Sequence, residues 1–118
     1  MGLPWTLTRL LGSARAAELM LLSETIDAEC AERFGLVSHV FDDPDFVDEV
    51  AALTSRLAGF APLALQAMKM NLLDSQHLPL ARYLDSEITR YVDNSHTDDS
   101  REAAHAFLER RPPQIAGR

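Results

Sequence analysis

Residues 12–41, Gly-Ser-Ala-Arg-Ala-Ala-Glu-Leu-Met-Leu-Leu-Ser-Glu-Thr-Ile-Asp-Ala-Glu-Cys-Ala-Glu-Arg-Phe-Gly-Leu-Val-Ser-His-Val-Phe, carry the tightest local specification in the chain. Ser13 is suited to cap a helix, and Ala14, Ala16, Ala17, Glu18, Leu19, Met20 and Leu21 all favour one, which should end near Leu22. After the short β-branched Thr25-Ile26, Asp27 opens a second helix whose first turn holds further acids, suiting the helix dipole. Gly35 stops it as a left-handed residue. The apolar pairs Leu36-Val37 and Val40-Phe41, separated by Ser38-His39, then read as a short strand leaving the helix for a sheet.

Outward from this stretch, most of the chain is predicted to be helix. Pro4 suits a first helical turn, and Trp5, Leu7, Leu10 and Leu11 give the segment before Gly12 an apolar side. Asp42-Asp43-Pro44 reads as a turn, followed by helices marked by Phe46, Val50, Leu53 and Leu57, by Leu63, Ala67, Met70 and Leu73, and by Leu80, Leu84, Ile88 and Tyr91. Gly59-Phe60-Ala61-Pro62 separates the first two, and Pro79 is expected in the opening turn of the third. Residues 94–100 read as a loop rich in capping residues, with Asp99 and Glu102 spaced as a variant capping box for a last helix. In that helix Ala103, Ala106, Phe107 and Arg110 share a face, and Pro112-Pro113 stops it. The fold class is therefore mainly α with one or two short strands, divided into residues 1–41 and a helical region 42–118. Two strand fragments cannot complete a sheet by themselves, so something outside these residues is expected to pair with them.

Composition narrows the function. The 118 residues carry a formal charge of −7, which argues against a nucleic-acid partner. The charge is uneven: Arg101, Arg110, Arg111 and Arg118 outweigh Glu102 and Glu109 to leave the last 18 residues at +2. That basic tail suits an anionic ligand or an acidic neighbour. No apolar run approaches 18 residues, so no membrane span is expected, and no signal peptide is apparent. The lone Cys30 excludes an intrachain disulfide and fits a cytoplasmic location.

Chemistry-bearing patterns are sparse. His39, His77, His96 and His105 show no spacing suited to a metal site. His96 beside Asp98 and Asp99 has the look of a dyad, but capping residues ahead of a helix explain those acids more simply. Glu18, Glu24, Asp27, Glu29 and Glu32 fall at helix starts and exposed faces. No phosphate-binding loop or nucleophile elbow is present, and the motifs alone propose no reaction.

The words Leu7-Thr8-Arg9-Leu10-Leu11-Gly12, Ala14-Arg15-Ala16-Ala17-Glu18-Leu19, Ile26-Asp27-Ala28-Glu29 and Gly35-Leu36-Val37 stand in an informative order. With Ala106-Phe107-Leu108-Glu109-Arg110-Arg111-Pro112 and Gly117, the chain resembles the C-terminal portion of the crotonase superfamily, the enoyl-CoA hydratases and isomerases. The resemblance implies a fold in which these helices pack on a core and build a homo-oligomer, a trimer or hexamer. It also implies an acyl-CoA substrate, with coenzyme A as part of that substrate and no other cofactor. In such enzymes two backbone N–H groups hold the thioester carbonyl while carboxylates move protons. The resemblance places both upstream of the matched words, with Met1-Gly2-Leu3 aligning just past the second acidic position, so no catalytic residue is assigned here. It implies instead that Phe107 and Arg110 meet the adenine and phosphate of CoA bound to a neighbouring subunit; an aromatic face and a cation three residues apart suit that task. Lys69 also matches a common lysine, whereas Ala103 and Ile115 depart from the glycine and the aromatic usual there.

The chain alone is expected to be inactive and to self-associate through its apolar faces. The alternative is a non-catalytic helical interaction module of crotonase ancestry.

Overall fold

A computed structural model describes residues 1–118 as seven helices with no strand: α1 (Leu3–Leu11), α2 (Ser13–Leu22), α3 (Ala28–Phe34), α4 (Phe46–Ala58), α5 (Pro62–Asp74), α6 (Leu80–Ser95) and α7 (Asp98–Glu109). The chain divides into two compact units, Met1–Glu49 and Val50–Arg118, and the division falls inside α4.

In the first unit, Pro4 stands in the opening turn of α1 as its fixed φ favours. Gly12, at φ 77°, turns the chain directly from α1 into α2, which packs against it. Gly12 donates its N–H to Thr8 at 3.1 Å and accepts from Ala16 at 3.2 Å. This arrangement overturns the capping role expected of Ser13: with no residue to spare between the helices, Ser13 is already helical and Gly12 is the cap. Arg15 lays its guanidinium over the Phe34 ring at 3.9 Å, joining α2 to α3.

The helix α3 begins and ends as its sequence dictates. The Asp27 side chain accepts from the Cys30 N–H at 2.8 Å. At the other end Gly35, at φ 81°, lets its own N–H reach Glu32 and the Leu36 N–H reach the Ala31 carbonyl, the paired bonds of a Schellman close.

The strand expected from Leu36 to Phe41 does not form. No second extended segment meets its N–H and C=O groups, and a ladder needs two sides. Aromatic contacts hold this stretch instead: His39 stacks on Phe41 at 5.8 Å, and Phe41 meets Phe46 edge-on at 6.5 Å. The turn at Asp42–Asp45 closes with a 3.0 Å bond from the Asp45 N–H to the Asp42 carbonyl.

In the second unit, α5 packs on α6, and α7 lies more lightly against α6. Pro79 precedes α6 as its cap, one place ahead of the turn expected for it. The loop expected over residues 94–100 shrinks to His96-Thr97, because α6 continues through a solvated polar last turn and Thr97 at once caps α7, accepting from the Ser100 N–H at 3.1 Å. Ala106 is the only fully buried hydrophobic side chain in this unit. Leu80, Leu84, Ile88, Tyr91 and Val92 of α6 all stand exposed, with Ile88 and Tyr91 lining an open groove shared with Ala64, Ala67 and Met68 of α5, so the apolar stripe that makes the helix amphipathic is only partly covered.

Candidate functional site

The last helix and the tail that follows it gather most of the ordered polar chemistry in the chain. With Thr97 as the cap, the capping box expected from Asp99 and Glu102 is displaced, and both carboxylates are free to serve the tail. Asp99 is only 2% exposed. Its Oδ1 accepts from the Ala116 N–H at 2.7 Å and its Oδ2 from the Gly117 N–H at 2.9 Å, while its own N–H donates to the Arg118 carbonyl at 3.0 Å. Glu102, one turn on, accepts from the Gln114 N–H at 2.8 Å and from both terminal nitrogens of Arg111. The Arg111 guanidinium, and next the Gln114 N–H, hold the Glu102 carboxyl at about 2, well below its ordinary 4.5. Arg111 also reaches Glu109, and its pKa is raised chiefly by the bonds to Glu102 and Glu109.

This arrangement corrects the face assigned to α7. The inward stripe is Asp99, Glu102 and Ala106, whereas Ala103 and Phe107 lie outside it. Phe107 is 82% exposed, so it fills no core in this chain. Arg110 stands just past the helix at φ 55°, its N–H donating to the Phe107 carbonyl at 3.2 Å, and its guanidinium makes no hydrogen bond or ion pair. The aromatic face and the uncommitted cation therefore sit on adjacent turns, joined by a backbone bond rather than by regular helical spacing.

Between α5 and α6 a second polar device appears that the sequence reading missed. Arg90 donates to Asn71 Oδ1 at 2.7 Å and to Asp74 Oδ2 at 2.5 Å, pinning two positions three apart on α5 to one on α6. An open cleft of about 290 Å³ lies beside it, lined by Leu63, Gln66, Ala67, Met70, Arg90 and Asn94. On α6 the Tyr83 hydroxyl donates to Glu87 at 2.8 Å, and that bond pushes the phenol's pKa up.

The remaining candidates stay apart. His96 caps the end of α6 and its carbonyl accepts from Arg101, while Asp98 pairs with Arg101 and Arg118. Lys69 is exposed and unpaired, and no three His, Cys, Asp or Glu side chains gather into a metal-binding group. No helix is long and apolar enough to cross a membrane.

The family model described as enoyl-CoA hydratase/isomerase matches residues 1–118. The chain belongs to that family, within the crotonase superfamily. It is 37% identical to the 2,3-dehydroadipyl-CoA hydratase of Escherichia coli K12 over 95% of this chain and 44% of that protein. It is 34% identical to the mitochondrial Delta(3,5)-Delta(2,4)-dienoyl-CoA isomerase of Dictyostelium discoideum, over 91% of this chain and 37% of that one. Among solved structures, an enoyl-CoA hydratase from Bacillus anthracis superposes with a TM-score of 0.91 at 29% identity, covering 99% of this chain and 45% of the other. The chain thus spans less than half the length of these relatives.

Proposed function

We propose that this chain serves as the C-terminal part of an enzyme acting on acyl-CoA thioesters, contributing assembly surfaces and one side of the CoA site rather than the reacting groups. The observation that carries the ligand role is the exposed Phe107 followed three residues later by an Arg110 whose guanidinium has no partner. An aromatic face can stack on an adenine, and a guanidinium can hold a phosphate with two parallel bonds. The names of the relatives, all acting on CoA esters, support that substrate class.

The assembly role is supported by the partly covered apolar stripe of α6 and by the scarcity of buried apolar side chains, limited to Leu7, Ala16 and Ala106. Faces this apolar are stabilised when another surface covers them. A trimer or hexamer of such chains would place the tail of one subunit beside the ligand of the next. The thioester carbonyl would be polarised, and protons moved, by groups outside these residues, with no cofactor beyond the CoA of the substrate. A cytoplasmic setting suits the lone Cys30.

The test is direct. The purified chain, given a short enoyl-CoA, should show no turnover, yet CoA should bind by calorimetry and bind more weakly to Phe107→Ala and Arg110→Ala. Hydration abolished by a point substitution within these residues would overturn the non-catalytic part. CoA affinity unchanged in both variants would overturn the ligand role.

A further inference from the structure

We infer that residues 112–118 form a strap that holds α7 in place, and that Asp99 is the positioning residue on which the strap fastens. Apolar packing cannot do this work. The only hydrophobic side chain that α7 buries fully is the single methyl of Ala106, and its contact with α6 is light.

Polar contacts supply what packing does not. After Glu109 the left-handed Arg110 turns the chain back, and the Arg111 N–H closes on the Ala106 carbonyl at 3.0 Å. The returning tail then gives three backbone N–H groups, those of Gln114, Ala116 and Gly117, to two carboxylates one turn apart on α7. Asp99 takes two of them, one on each oxygen, and returns its own N–H to Arg118. No cation neutralises Asp99; consecutive backbone N–H groups cradle the carboxylate, and its place in the first turn of α7 adds the favourable end of the helix dipole.

On its other side the strap meets the corner between α4 and α5. Gly117 has φ 78°, and a Cβ there would come 3.3 Å from Pro62 Cγ, so both conformation and space call for glycine. Pro113, Ile115 and Ala116 face Leu57, Phe60 and Leu65 across an open groove of about 560 Å³. The strap therefore ties α7 to the α4–α5 corner. Resting on the ligand role proposed above, this makes the placement of Phe107 and Arg110 a consequence of Asp99, which would touch no ligand itself.

Asparagine at position 99 tests the idea sharply, because its amide nitrogen would face a backbone N–H with no acceptor between them. Hydrogen exchange on the full chain should show the amides of residues 114–118 exchanging at least about tenfold faster in Asp99→Asn, with α5 and α6 amides keeping wild-type protection. Wild-type exchange in the tail would overturn the strap, as would a rise spread evenly through α5 and α6. Should Asp99→Asn unfold the chain, Gly117→Ala decides by the same criteria. Calorimetry with CoA adds a second arm: affinity lowered in Asp99→Asn supports the positioning role, and affinity unchanged with a loosened tail overturns it. Absence of CoA binding by the wild type would defeat the ligand role alone, leaving the strap to the exchange result.

Discussion

In residues 1–49 every side-chain hydrogen bond closes within four positions along the chain, from Thr6 on Gly2 to Asp27 on Cys30. In residues 50–118 the bonds that organise the unit span 9 to 19 positions: Arg90 to Asn71 and Asp74, Arg111 to Glu102, and the tail to Asp99 and Glu102. Neither unit buries much apolar surface, so the difference is one of fastening. The first unit relies chiefly on caps and a glycine corner, although Arg15 over the Phe34 ring does tie two segments distant in sequence. The second relies on carboxylates and guanidinium groups bridging segments far apart in sequence. Local fastening should fail locally, whereas a long-range clamp should take a whole packing arrangement with it.

The largest effect is therefore expected at Arg90. Arg90→Ala leaves Asn71 and the partly buried Asp74 without their shared donor and should cost about 2 kcal/mol in urea denaturation. A cost below about 0.5 kcal/mol would erase the contrast between the units.

In the first unit, Gly35→Ala forces an alanine into the left-handed region and should cost about 1 kcal/mol. Asp27→Ala, which removes the cap, should cost about as much, near 1 kcal/mol. Exchange should rise only in amides 28–36; a rise reaching the second unit would show that this fastening is not local.

Acid should loosen one clamp selectively. Glu102 holds its charge down to about pH 2 when folded but only to its ordinary 4.5 when unfolded, so the unfolded chain binds more protons between those values. Its contribution is complete above about pH 4.5 and is lost as pH falls towards 2. The Gln114 amide resonance should shift across that window, and Glu102→Gln should abolish the shift. His105 and Arg111 are the basic groups that bear on Glu102, Arg111 most strongly, and the Arg111 guanidinium keeps its charge throughout the window.

The smallest stability effect belongs to Phe107. With 82% of its surface exposed, Phe107→Ala should change unfolding free energy by less than about 0.5 kcal/mol. The same variant should weaken CoA binding about tenfold, as loss of one aromatic stacking face on a base does. A large loss of stability would recast Phe107 as a packing residue.

How much of this was legible in the sequence follows the same division. Asp27 and Gly35 announced the ends of α3 because capping depends on residues three or four apart, and the apolar spacing of Leu80, Leu84, Ile88 and Tyr91 announced α6 for the same reason. Asp99 and Glu102 were visible as an acidic pair at helical spacing, but a cap and a tail anchor demand the same residue types. The choice fell to Thr97, which took the cap first. Arg90 carried no signal at all, since nothing in the order of residues says which helix an arginine will face.

The order of residues by itself determined the helical punctuation, the membership in a thioester-handling family and the pairing of an aromatic with a basic residue near the chain's end. Only the tertiary structure decided that residues 36–41 form no strand, that Phe107 stands in solvent, and that the tail returns to a buried carboxylate. The physical reason is range: caps and turns are settled by neighbours along the chain, while a ladder, a burial or a clamp depends on which distant segment arrives to meet it.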